Sequence, residues 1–147
     1  MPVSEIAELE SVLEHRFRDP SRLLQALTHS SRIPERAAED ACEDNEKLEF
    51  LGDAVLDLLV SEDLVRAFPE WREGQLSKSR ARLVNASALS LAAQRIGLGH
   101  YLRLGRGEEK TGGRMKPALL ADAYEAVIAA IYLDAGLEAA RQFVQRT

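Results

Sequence analysis

Asn45 to Asp57 reads N-E-K-L-E-F-L-G-D-A-V-L-D and sets carboxylates inside an apolar helical pattern. Glu46, Glu49 and Asp53 fall at i, i+3 and i+7, so a helix places them on one stripe. Leu48, Leu51, Val55, Leu58 and Leu59 share another stripe on roughly the opposite side. Phe50, Leu56 and Val60 flank the acids, which predicts a helix buried on most sides. Two ionised carboxylates ~6 Å apart repel by ~3 kcal/mol at an effective dielectric of ~20, and burial adds desolvation. The stretch therefore predicts a long core helix that needs a positive partner.

A second apolar run, Pro117 to Asp134, carries Asp122 and Glu125 at i and i+3, again among Ala, Leu, Val and Ile. If the two helices pack face to face, Glu49, Asp53, Asp122 and Glu125 form an all-oxygen cluster, the donor set of Mg²⁺ or Mn²⁺ rather than zinc. The rival is a buried network with Arg or Lys, and few basic residues lie on either helix. The three histidines, His15, His29 and His100, are not beside these acids, which excludes the Glu-x-x-His pattern of di-iron bundles. His15 and His100 read as surface or loop residues, and Thr28 to Ser31 as a helix end with capping hydroxyls. No G-x-x-x-x-G-K-[ST] phosphate loop is present.

Around these helices the chain reads as one all-α domain, residues 1–147, of about seven helices. Ile6, Leu9, Leu13 and Phe17 mark the first, and Asp19-Pro20 caps a second running to about His29. Ser30 to Asp44 reads as a loop, and Pro69 stops the acidic helix near Phe68. Glu73-Gly74 opens a helix with Arg80 facing inward as a salt-bridge partner and Lys78 and Arg82 outward. Ala86 to Ile96 is the next, with Gly97 at its C-terminus. Gly99 to Lys116 has five glycines among basic residues and reads as a mobile basic loop. After Pro117 to Gly136, a short amphipathic helix with Leu137 and Val144 closes the chain.

Net charge is −5, but Trp71 to Lys116 holds ten Lys or Arg against three acids, a local +7 that leaves −12 elsewhere. This segregation offers a basic surface beside an acidic site. No apolar run reaches the ~18 residues of a membrane span, Met1 to Glu10 lacks the pattern of a signal peptide, and Cys42 has no second cysteine to pair with. These features predict a cytoplasmic protein without a membrane partner.

Four segments carry a family resemblance. Asn45 to Leu56 resembles the signature segment of ribonuclease III. Ala26-Leu27-Thr28-His29-Ser30-Ser31 resembles the family's A-[LF]-T-H-x-S segment. Glu73-Gly74 with Leu76-Ser77 and Arg82-Leu83-Val84 is similar to its E-G-x-L-[ST] region. Lys116-Pro117 through Leu120-Ala121-Asp122, Glu125-Ala126 and Ala130 to Asp134 is similar to its K-P…L-A-D-x-x-E-A helix. The resemblance implies a Mg²⁺-dependent endonuclease, with Mn²⁺ able to substitute, that cuts double-stranded RNA as a homodimer and leaves 5′-phosphates and 3′-hydroxyls in RNA processing. By motif position it implies Glu49, Asp53, Asp122 and Glu125 as metal-holding carboxylates, Asp53 and Glu125 being the indispensable pair. Glu46 and Glu73 would be further catalytic acids, and Phe50 an aromatic inserted into the partner subunit, its rival being an ordinary core phenylalanine. Lys78, Arg82, Arg106, Lys110, Arg114 and Lys116 are the candidates for gripping RNA.

The chain departs from the family pattern at Ala118, Ala129 and Asp57, and Asp57 reads as a solvated position. The family's usual C-terminal double-stranded-RNA-binding domain is not in these residues, which implies weak binding and cutting mainly at low salt. Two other functions compete: an all-α Mg²⁺ pyrophosphohydrolase acting on free nucleotides, and a non-catalytic RNA-binding relative. Turnover of nucleoside triphosphate without RNA cleavage separates the first, and metal-independent binding without cutting the second.

Overall fold

The computed structural model describes all residues, 1–147. It contains eight α-helices: α1 (Val3–Leu13), α2 (Pro20–Leu27), α3 (Glu46–Ala67), α4 (Glu73–Val84), α5 (Ala86–Arg95), α6 (Arg106–Lys110), α7 (Pro117–Ala135) and α8 (Leu137–Arg146). Three 3₁₀ segments, Ser30–Glu35, Leu98–Tyr101 and Gly113–Met115, lie between them. There is no sheet, only one isolated parallel bridge between Thr28 and Arg103. No helix is long and apolar enough to cross a membrane.

Local chemistry sets the boundaries. Asp19 accepts the Ser21 amide at 3.1 Å and Pro20 occupies the first position of α2, where its missing N–H costs nothing. Asn85 caps α5 by accepting the Ala88 amide at 2.8 Å. Gly97 follows α5 at φ 66°, a left-handed conformation glycine adopts without steric cost.

Helix α7 is the axis of the fold. Ala123, Ala126, Val127, Ile128, Ala129, Ala130 and Ile131 expose no surface, because α2, α3, α5 and α8 pack around it. Its alanines keep the helix narrow enough to be surrounded on every side. Helix α3 packs along it through Leu48, Val55, Leu56, Leu59, Val60 and Leu64. The expectation that α3 is buried on most sides fails, however. Phe50 is 82% exposed, and Leu58 and Val65 are also exposed, so α3 keeps one apolar strip outside the core.

The segment Gly99–Lys116 is not the structureless loop its glycines suggest. It holds α6, the whole 3₁₀ segment Gly113–Met115 and most of Leu98–Tyr101, and α6 is the helix beyond the expected seven. Two of its glycines serve close packing rather than mobility: a β-carbon at Gly99 would strike the Arg114 carbonyl, and one at Gly105 would strike Ser31 and Glu35. Ser30–Glu35, also read as loop, is a 3₁₀ segment. His15 is a loop residue as expected, but a largely buried one. Its Nε2 lies 2.9 Å from Asp134 Oδ2, and the same carboxylate accepts the Arg18 amide, tying the α1–α2 turn to the end of α7.

Candidate metal centre

Two anchors bring the acids of α3 to those of α7. The first is Asn45, only 6% exposed. Its Nδ2 donates to the Ala26 carbonyl at 3.1 Å and its amide to the Thr28 carbonyl at 2.9 Å, which fastens the start of α3 to the end of α2. The Asp44 side chain then accepts the Glu46 amide, and Glu49 begins the helical ladder on the Asn45 carbonyl. The second is Gly52, packed so closely on α7 that a β-carbon would overlap the Glu125 backbone carbonyl. With Gly52 at the crossing, Glu49 and Asp53 straddle the point where α7 presents Asp122 and Glu125.

Carboxylate oxygens of Glu49, Asp122 and Glu125 lie within 4.8 Å of one another. Asp53 is exposed on the rim, outside this group of three, next to Glu125. Burial, then the neighbouring Asp53 carboxylate and the negative charge of Glu49 and Asp122, pushes the Glu125 carboxyl up to about 8. Burial and the Asp122 charge lift Glu49 to about 7, and burial raises Asp122. No Lys or Arg forms an ion pair with any of the four, so the rival reading of a buried Arg or Lys network fails.

The donor set fits a hard divalent cation. Mg²⁺ takes six oxygens at about 2.1 Å, and three carboxylate oxygens within 4.8 Å of one another are placed to converge on one such ion. The remaining coordination positions suit water or a phosphate oxygen.

Other expected residues distribute unevenly. Glu46 is exposed one turn before Glu49, and its charge contributes to raising Glu49. Glu73 does not join the cluster within one chain. It faces a cleft with Ser61, Leu64, Val65 and Arg80, and Ser61 stands eight residues, or about 12 Å of helix, beyond Asp53. Asp57 is half-buried rather than solvated, and burial and the Asp53 charge raise its carboxyl. Arg80 is exposed rather than inward and bonds Ser61 Oγ at 3.0 Å instead of an acid, and Lys78 and Arg82 are exposed on α4 as expected.

Within the basic segment, Arg106 and Lys110 are exposed. Arg114 and Lys116 are committed to the fold. Arg114 donates to the carbonyls of Gly99, His100 and Leu102 and pairs with Glu109 at 2.7 Å. Lys116 pairs with Glu108 at 2.7 Å and donates to Thr111.

Residue reasoning assigned nothing to Asn45, Gly52 or His29 beyond their place in a motif. His29 Nδ1 accepts the Ser31 amide at 3.1 Å, and the ring lies in the neighbourhood of Asp122 and Glu108. Of the three, Gly52 alone carried a local signal, a glycine inside an apolar helical run.

Residues 19–147 match the family described as Ribonuclease-III-like. Ribonuclease 3 of Solibacter usitatus is 53% identical over 145 residues, covering 96% of this chain and 54% of its own length. Ribonuclease 3 of Desulforamulus reducens is 50% identical over 92% of this chain and 55% of its own length. The chain thus spans just over half the length of these curated relatives. Among solved structures, the nuclease domain of ribonuclease III from Campylobacter jejuni superposes with a TM-score of 0.87 at 44% identity, over 96% of this chain and 94% of that one. With an all-α fold matching that domain almost end to end and an acidic centre built from two of its motif helices, the chain belongs to the ribonuclease-III-like family.

Proposed function

We propose that this chain is a metal-dependent endonuclease unit that hydrolyses double-stranded RNA to 5′-phosphate and 3′-hydroxyl ends, in cytoplasmic RNA processing. The observation that carries the reading is the convergence of Glu49, Asp122 and Glu125, with Asp53 on the rim beside Glu125 and no internal cation to neutralise them. These four residues would hold Mg²⁺, or Mn²⁺ in its place. When bound, the metal supplies Lewis acidity at the scissile phosphate and a water acidic enough to attack it near neutral pH.

The chain's own part is positional. Gly52 and Asn45 hold the carboxylates in register before substrate arrives, so little reorganisation remains for the reaction. Lys78, Arg82, Arg106 and Lys110 are exposed cations suited to phosphates of an A-form duplex, whose bases side chains read poorly. Glu46 and Glu73 are proposed as further acids at the cut site, and Glu73 would reach it only with a second subunit present.

A homodimer accounts for the exposed strip of α3. Phe50, Leu58 and Val65 stand outside the core, and an exposed phenylalanine at the edge of a metal site is suited to burial in a partner copy. Of the Campylobacter jejuni nuclease domain, structural flexibility is described in a region involved in dimer formation.

The deciding experiment incubates the protein with long double-stranded RNA at low salt, with Mg²⁺ or EDTA, beside Glu125→Ala. Fragments are expected only for the parent with Mg²⁺. Equal cutting by the variant removes Glu125 from the mechanism, and turnover of free nucleotides alone would favour a pyrophosphohydrolase.

A further inference from the structure

The one buried side-chain polar atom without a hydrogen-bond partner in the whole protein is Nε of Arg32. Arg32 belongs to the 3₁₀ segment after His29 and lines, with Glu35, Leu104 and Arg106, a cavity of about 400 Å³. The acids nearby are already engaged. Asp40, which feels the Arg32 charge, receives Arg103 at 3.3 Å and the Cys42 amide at 3.0 Å. Glu35 accepts the Arg106 amide at 2.9 Å, while the Arg106 side chain stands 3.9 Å from it and is 93% exposed.

A buried cationic N–H with no acceptor costs on the order of 1–3 kcal/mol, and such a group calls for an acceptor from outside the chain. Two guanidinium groups against one carboxylate leave the cavity with one net positive charge. The planar donor fork of arginine matches the oxygens of a phosphate. Ser31, the residue before Arg32, accepts the Gly105 amide on its Oγ at 2.9 Å, next to Arg106, and that Oγ lies 2.8 Å from His29 Nδ1.

We propose that Arg32 and Arg106 form a phosphate seat, filled by a backbone phosphate of the RNA strand. This rests on the endonuclease reading above. The seat holds the strand through a contact that ignores base identity.

The test measures binding of a short RNA duplex by fluorescence anisotropy across salt concentrations, with Mg²⁺, in a Glu125→Gln background that does not cut. Adding Arg32→Gln should weaken binding about fivefold at low salt and lower the slope of log affinity against log salt by about one, the signature of one lost phosphate contact. Arg18→Gln, an exposed cation on the α1–α2 turn, should leave the slope unchanged. By NMR the Arg32 Nε–H signal should move on adding duplex. Movement with inorganic phosphate but an intact RNA slope would overturn the RNA assignment in favour of a free anion. An intact slope and an unmoved signal would overturn the seat while leaving the endonuclease reading standing. Failure of the Glu125→Gln protein itself to bind duplex would count against both. The melting temperature of Arg32→Gln should be unchanged or higher, since an unsatisfied buried group is removed, and a marked fall would make Arg32 a structural residue.

Discussion

Gly52 of α3 rests directly on the backbone carbonyl of Glu125 in α7, with no room between them for a β-carbon. The contact sets the distance between the helices at the level of the four acids. Gly52→Ala must therefore separate the helices or tilt them, and both responses spread the carboxylates. We expect a loss of about 3 kcal/mol in stability, at the upper end of overpacking costs, together with loss of Mg²⁺-induced stabilisation. Urea denaturation with and without Mg²⁺ measures both. A variant as stable as the parent would mean that the crossing adapts and that Gly52 does not set the site.

Stability should depend on pH in the opposite sense to an ordinary salt-bridged carboxylate. Glu49 and Glu125 have an ordinary value of 4.5 and are raised to about 7 and about 8 in the folded protein. Between these values the folded state binds more protons than the unfolded chain, so stability falls as pH rises through that window. In EDTA the melting temperature should drop from pH 5.5 to pH 8.5. Because Mg²⁺ competes with those protons, its stabilising effect should be larger at pH 8.5. A melting temperature in EDTA that rises over this range would contradict the assignment.

Glu125→Gln should separate stability from function. The amide keeps the shape of the side chain and removes one charge from a cluster that repels itself, so in EDTA near pH 8 the variant should melt above the parent. It should gain little from Mg²⁺ and cut no RNA. If it melts lower in EDTA, the carboxylates are not a source of strain in the folded chain.

Phe50→Ala tests the homodimer apart from the fold. Phe50 contributes almost nothing to the core, so monomer stability should change by no more than about 0.5 kcal/mol, as for other exposed positions. Sedimentation at several concentrations should show a weaker dimer. Unchanged association would move the interface away from this strip of α3.

Arg114 and Lys110 should behave differently although both lie in the same basic segment. Arg114→Ala removes a guanidinium that holds three backbone carbonyls and should destabilise by about 2 kcal/mol, with faster amide exchange around Leu98–Tyr101. Lys110→Ala, at an exposed position, should leave exchange unchanged and weaken RNA binding. Equal effects of the two on exchange would return Arg114 to the surface cations.

Much of the architecture was legible because periodicity, Pro20, Pro117 and Gly97 act locally. The two acidic pairs were legible because charges inside apolar runs need a partner. Gly99–Lys116 was misread because its order comes from Arg114 bonding carbonyls up to fifteen residues away and from glycines packed on distant backbone, neither of which leaves a periodic trace. The exposed side of α3 was misread for a related reason: an apolar residue facing solvent in one chain has the same letter as one facing the core.

The residues by themselves determined an all-α chain with two carboxylate-bearing helices and an unneutralised charge, because helix period and desolvation depend only on residue type and spacing. Tertiary structure alone decided that Gly52 and Asn45 bring those helices into register, that Glu73 stays out of the single-chain cluster, and that Arg32 is left without an acceptor. Each of these depends on which distant atoms occupy the same few ångströms, and that follows from packing rather than from order along the chain.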